Sequence, residues 1–463
     1  LTKKISNKFR MDVEVSALYR DLNDHMGADR ALLEKAVEQF EAEAAEANVL
    51  YAGRPLAVGF YPLILSQGQL GFISSVAEAM LRLMEKATAL FLENPSVREV
   101  FDFSPQQLEL IEVDPGYDHA IPCARFDSFF DGEDIHFTEI NTDGTAGMDG
   151  SEKISKLFQA SQFAKDFLPN NQVSTFDISQ NVLDTLLDCY RQFAGSKSPK
   201  KPRIAIVDWK ETRTSAEFFS FAEYCRSRGY EAVVADPRDL EYDGKTLSYE
   251  GNAIDLIYRR AVSGEYIERL DEVEAMTRAF KEHNVCVVGS FRSDVAFSKK
   301  VFGLLHTQEF SGLFTEEELA LAQKHVPWTQ PFGDRECDYR GKSVAMPELA
   351  RVNKDDFVLK PSSLYEGRGI SLGFDKTTSE WDAAIEAALK GDYILQEFIR
   401  EVAMPVGTLR DEFELESRFI HIGEYIFGGK LAGLYCRAAE GPLIDMTSRE
   451  CVIPCLVFAP SQA

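Results

Sequence analysis

Between residues 203 and 289, four short apolar runs, "RIAIVD", "YEAVVAD", "IDLIYRR" and "VCVVG", are interleaved with helical stretches around "SAEFFSFAEYCRSRG" and "RLDEVEAMTRAFKEH". Runs this short, rich in Val and Ile and without alternation, read as strands covered on both faces. Strands and helices taken in turn predict a small open parallel sheet, with ligand-contacting groups at the strands' carboxyl ends. Arg259 and Arg260 end the third run, where a guanidinium fork could clamp a carboxylate, although two adjacent arginines are also an ordinary surface pair. "VDWKETRT" leaves the first run in the same way, with Trp209 suited either to packing or to stacking on a ligand. The stretch holds no GxGxxG, so a dinucleotide has no support.

The flanks have other textures. The first 100 residues predict helices: Leu33, Val37 and Phe40 share one stripe, and Val76, Met80, Leu83, Ala87 and Leu90 share another. From about residue 120 two short strands, "ARFDSFF" and "IHFTEIN", are joined by "DGED", a hairpin sequence. "AGSKSPKKP" (194 to 202) reads as a linker. The last hundred residues read as strands: "YILQEFI", "RFIHIGEYIF", "KLAGLYCRA" and "CVIPCLVF", with a turn at Gly428-Gly429. A chain of 463 residues exceeds one simple layered unit, and we divide it at 1–200, 201–290 and 291–463.

Charge narrows the partners. With 50 basic against 75 acidic residues the formal net charge is −25, which argues against nucleic-acid backbones and anionic membrane surfaces. No apolar run reaches the length of a membrane span, and the first residues lack the apolar core of a signal peptide. Eight scattered cysteines form no zinc-type pairs and predict reduced thiols, hence a cytoplasmic setting.

Two segments carry candidate chemistry. Glu139 and Asn141, at i and i+2 on a strand in "HFTEINTDGT", face one side and offer hard oxygens of the kind magnesium takes, although such a pair alone is an ordinary strand face. In "VLKPSSLYEGRGISLG" a strand delivers Lys360 to a polar loop holding Glu366, and Gly367 and Gly369 let the backbone approach a ligand closely. That is not the Walker pattern. Of the histidines, His136 beside the "FTEIN" strand is read as structural.

Five segments, "RFDSFFDGEDIHFTEINTDGT", "SKKVFGLL", "LKPSSLYEGRG", "YILQEFI" and "YCRAAEGPLI", occur in the order found in the synthetase domain of glutathionylspermidine synthetase and, more distantly, in eukaryotic glutathione synthetase. The chain resembles that family from about residue 60 to its C-terminus. The resemblance implies an α/β (α+β) ATP-grasp fold with permuted element order, antiparallel sheets around the nucleotide and an inserted small parallel α/β unit. It implies that Arg125 meets the ATP phosphates or an acyl phosphate, and that Asp127, Glu139, Asn141 and Glu366 bind metal. Lys300, with Lys299 as competitor, and Lys360 would be the phosphate-binding lysines, and Gln396 and Glu397 would meet the adenine edge. Arg437 would lie near the substrate end, as would Asp143.

The activity so implied is an ADP-forming carboxylate–amine ligase using ATP and magnesium, two ions in the family, on small-molecule substrates such as a peptide and a polyamine. An ATP-grasp ligase making another peptide-like product and a non-catalytic nucleotide-binding protein are the alternatives. The chain departs from the family twice: a Thr-Pro element is missing after Asn141, and Leu364-Tyr365 stand where Gly-Arg usually precedes the glutamate. Both departures leave the metal-ligand types in place and fall where the substrate is chosen.

Overall fold

The computed structural model describes residues 7–168, 172–195, 201–364, 367–400, 402–409, 413–441 and 450–459. The four apolar runs form a parallel sheet in the order Cys286–Val288, Leu256–Arg259, Ile204–Val207, Ala232–Ala235. The chain leaves Ile204–Val207 through helix Ser215–Ser227 to pair on one side. It then returns through a three-stranded meander, Glu241–Tyr242, Leu247–Tyr249 and Asn252–Ala253, to pair on the other. Strand order therefore switches between Ile204–Val207 and Leu256–Arg259, and a crevice opens at their carboxyl ends, where Asp208 and Arg260 follow.

A larger, mainly antiparallel sheet has seven strands among the described residues, with Phe413–Phe427 at its centre. Lys430–Ala439 runs along one edge of that strand; Val402–Leu409 and Cys123–Phe130 share the other. The hairpin expected around residues 131 to 134 is present and pairs Cys123–Phe130 with Ile135–Asn141. Helix Gln67–Glu93 packs against this sheet and buries Val76, Met80, Leu83 and Ala87 of the expected stripe. It starts well before that stripe, because Ser66 and Gln69 close a capping box on its first turn.

A third sheet, Thr329–Pro331, Tyr393–Glu397, Phe357–Pro361 and Ser371–Leu372, is antiparallel throughout. Helices Met346–Val352 and Thr378–Ala388 cover it with a separate apolar core around Trp381. The run "CVIPCLVF", expected as one strand, divides at Pro454: Glu450–Val452 stays on the large sheet, while Cys455–Phe458 joins Leu63–Ser66 and Val173–Ser174. A proline has no N–H to continue a ladder, so the chain changes sheets there. All eight cysteines are free. Among the described residues no helix is long and apolar enough to cross a membrane.

Candidate functional site

One face of the large sheet forms the floor of a cavity of about 530 Å³. In the hairpin Arg125 lies opposite Asn141 and Asp127 opposite Glu139, so period-2 geometry brings all four to one face. A bulge after Asp127 shifts the register beyond them. The next strand contributes Gly423 opposite Asp127. A Cβ there would stand 2.8 Å from Arg125 Cδ, so the missing side chain is what lets Arg125 lie across the sheet. Arg125 donates to both Asp127 oxygens, at 2.6 and 3.0 Å, and to the Ala146 carbonyl at 2.9 Å. Tyr435 supports this layer, with the guanidiniums of Arg125 and Arg437 5.3 and 5.0 Å from its ring centre.

Burial works against ionisation of Asp127, but Arg125 and Arg437 outweigh it and hold the carboxyl well below the usual carboxylate range. Asp127 is therefore an anion already chelated by a guanidinium fork. Glu139 is more open: Lys299 Nζ lies 3.4 Å from Oε1, and the Asn141 amide donates to the same oxygen at 3.2 Å while accepting from Arg125 at 3.3 Å. Among the described residues no group of three or more His, Cys, Asp or Glu gathers as a metal cage. Magnesium commonly takes one or two carboxylates and completes its octahedron with phosphates and water, so Glu139 and Asn141 beside Asp127 suit it once the Asn141 amide turns its oxygen from Arg125 toward Glu139.

The third sheet faces this floor and delivers Lys360 and Gln396 from neighbouring strands. Lys360 is buried, and its Nζ donates to the Thr138 carbonyl at 3.4 Å. Burial lowers its pKa to about 8 against the pull of Glu139, and Lys299 adds to the lowering. The two adjacent lysines part company. Lys299 donates to the Leu364 carbonyl at 2.8 Å and faces Glu139, whereas Lys300 is turned away and bound to Asp102 and Asp392, each at 2.6 Å. Lys300, expected to meet phosphates, is thus paired away from Glu139, while its competitor Lys299 lies beside Glu139, because successive residues at a helix start point about 100° apart.

Gly367 lines the cavity with φ +68°, and Gly369, also left-handed, is packed against Pro361. Glu366 lies outside the described residues. Gln396 and Glu397 both line the cavity. The Gln396 amide donates to Thr329 Oγ1 at 3.0 Å, and the Glu397 carboxylate accepts from Tyr339 and Arg340 at 2.7 and 2.9 Å. The Glu397 N–H is already spent on the Trp328 carbonyl, so that donor is not presented to a base.

The parallel sheet closes the far end. Arg260 lines the cavity between Glu217, at 3.2 Å, and the Gly144 carbonyl, at 3.4 Å. Arg259 does not reach the cavity: it is 3% exposed, pairs with Asp143 at 2.7 Å and donates to the carbonyls of Gly289 and Ala261 at 2.5 and 2.7 Å. Its expected role as a carboxylate clamp is therefore taken over by an internal ion pair. Asp143, also proposed at the substrate end, touches the cavity but commits its oxygens to Arg259 and to the Ser263 N–H at 2.6 Å. Asp208 remains on the cavity wall, lifted to about 6 chiefly by burial, with Glu265 and Asp143 adding to it.

Between floor and far wall runs the loop 142–147. Gly144 has φ +60°, and a Cβ there would lie 2.8 Å from Val262 Cγ2 and 2.9 Å from the Arg260 carbonyl oxygen. Gly144→Ala combines a left-handed strain with a clash against backbone. We expect it to destabilise the protein by about 1–3 kcal/mol in chemical denaturation. A variant as stable as the parent would mean this loop does not pack so closely.

Sequence reasoning passed over His421 and Tyr435. Both alternate onto the floor's face, but only the register of Phe413–Phe427 against Lys430–Ala439 places His421 beside Arg437. Arg437, expected at the substrate end, lines the cavity with Nη2 3.4 Å from Asp127 and Nη1 3.5 Å from Glu450.

No family model and no curated protein sequence matches the chain significantly. Its fold is that of a glutathione synthetase-like effector from Globodera pallida, solved in the apo form. That structure has 12% sequence identity and a TM-score of 0.57, over 92% of this chain and 97% of the other. A candidate gamma-glutamylcysteine synthetase from Methylobacillus flagellatus aligns at 13% identity over 81% of this chain and 86% of its own, with a TM-score of 0.37, too low to carry weight.

Proposed function

We propose that the chain is an ATP-dependent, ADP-forming carboxylate–amine ligase on a permuted ATP-grasp architecture, akin to glutathionylspermidine synthetase. The observation that carries this reading is the convergence of Arg125, Lys360 and Arg437 with Glu139 and Asn141 on one cavity, from strands far apart in the chain, with Lys299 buried beside Glu139. Cations that outnumber the available anions at one end fit a polyphosphate. The mixed Asp208, Glu217 and Arg260 wall at the other fits substrates bearing both an amine and a carboxylate.

In the proposed reaction a substrate carboxylate attacks the γ-phosphate of ATP, ADP leaves, and the acyl phosphate loses phosphate to an amine. Positioning and charge compensation supply most of the catalysis in phosphoryl transfer, and no protein nucleophile is needed. Arg125 and Lys360 would offset charge on the transferring oxygens, with Lys299 on the phosphate loop side. Asp127 holds the Arg125 fork in place. Glu139 and Asn141, beside Asp127, would hold magnesium, which supplies further charge compensation when bound. The unit we assign to residues 201–290 would present Arg260 to the substrate carboxylate, while Gly367 and Gln396 would lie along the nucleotide.

ADP release in the presence of magnesium, measured across carboxylate and amine pairs that include glutathione and spermidine, tests this. Amine-dependent ADP release is expected for at least one pair; ATP binding without turnover for any pair would instead make the chain a nucleotide-binding protein. Glu139→Gln keeps the shape and removes the charge, and the magnesium concentration for half-maximal rate should rise about tenfold. An unchanged magnesium dependence would remove Glu139 from the metal site.

A further inference from the structure

His421 sits on the cavity floor, only 7% exposed, opposite Arg437 across the strand pair and edge-on to Phe129 at 5.1 Å. Its Nδ1 contacts Arg437 Nη2. A guanidinium can only donate, so Nδ1 must carry the lone pair and the imidazole proton must reside on Nε2. Among the described residues nothing pairs with Nε2, while Arg437, Arg125 and Lys360 all act on the ring electrostatically. Burial first, and then those cations, hold its pKa down to about 3, so the ring stays neutral and the tautomer is fixed. A neutral imidazole with its Nε2 protonated cannot ligate a metal through that atom. In a patch of cations it suits an anionic oxygen.

We propose that His421 Nε2–H is a hydrogen-bond donor to an oxygen of the phosphoryl group transferred at this end of the cavity, beside Arg125, Lys360 and Arg437. The proposal rests on the nucleotide reading given above. Since Nδ1 is engaged by Arg437, the ring would do two separable things: orient Arg437 through one nitrogen and meet the ligand through the other.

Two substitutions separate them. His421→Asn keeps an acceptor near the Nδ1 position and removes the distal donor; His421→Gln extends an amide N–H to the Nε2 position. Calorimetry would measure magnesium-ADP binding with and without aluminium fluoride, which stands in for the transferring phosphoryl group, alongside a thermal melt of each variant. The ratio of the two affinities should fall at least tenfold for His421→Asn and stay within about threefold of the parent for His421→Gln. A parent-like ratio in His421→Asn, or an equal fall in both, overturns the proposal. Failure of the parent protein to bind magnesium-ADP at all would instead defeat the nucleotide reading, and the proposal with it.

Discussion

Replacing Arg259 by Met should lower stability by about 3–5 kcal/mol in chemical denaturation, the cost of stranding a buried partner charge. Arg259 lies at the carboxyl end of its strand with Asp143 at 2.7 Å, Ser263 Oγ at 3.0 Å and the Phe291 ring centre 4.3 Å from its guanidinium carbon. Asp294 bonds to the same Ser263, and burial together with Asp143 pushes its carboxyl well above the usual range. Without the guanidinium, the Asp143 carboxylate would be left uncompensated beside the Asp294 carboxyl in a dry interior. The double variant Arg259→Met with Asp143→Asn should therefore recover part of the loss, a coupling that a simple cavity would not produce. A single variant within 1 kcal/mol of the parent would mean the pair does not lock the parallel sheet to the strand carrying Glu139 and Asn141.

Lys360→Met should act on activity and stability in opposite directions. Under the proposed reaction it removes a buried cation from the transferring phosphoryl group, and the rate of ADP formation should fall about 10²–10³-fold, the scale seen for one preorganised stabilising group. Folding should gain. The Lys360 pKa falls from 10.5 in the unfolded chain to about 8, so between those values the folded protein binds fewer protons. Stability carried by this group then rises with pH from about 8 to 10.5, and its charged form is a burden below pH 8. An apolar residue of similar length relieves that burden, by up to about 3 kcal/mol at neutral pH. A melt near pH 7 should accordingly show the variant at least as stable as the parent, with a flatter pH dependence. The parent's kcat/KM for ATP should decline above about pH 8 as the free protein loses the charge. Full activity in the variant would take Lys360 out of the phosphate site; a large loss of stability would mean that its ammonium is needed to hold the sheets together.

Much of this layout was legible because it depends on local periodicity. Two hydrophobic runs around a turn sequence specify the 123–141 hairpin, and period 2 puts Glu139 and Asn141 on one face wherever that hairpin docks. The four apolar runs likewise specify a parallel sheet, and the carboxyl ends of two of them do carry cavity residues, Asp208 and Arg260. Side-chain type alone could not choose within adjacent pairs. Arg259 and Arg260 are chemically identical neighbours, yet one is locked to Asp143 and the other lines the cavity. Lys299 and Lys300 divide in the same way between Glu139 and the Asp102–Asp392 pair.

The sequence by itself determined the strands, the parallel unit and the pool of phosphate- and metal-competent side chains, since propensity and periodicity act over a few residues. The tertiary structure alone decided how the members of each pair divide, that Asp127 is held by arginines, and that His421 meets Arg437 through one ring nitrogen. Those outcomes depend on register between strands hundreds of residues apart, as with Cys123–Phe130 against Phe413–Phe427. A slip of one residue in that pairing would put Arg125 and Asp127 on the opposite face from His421.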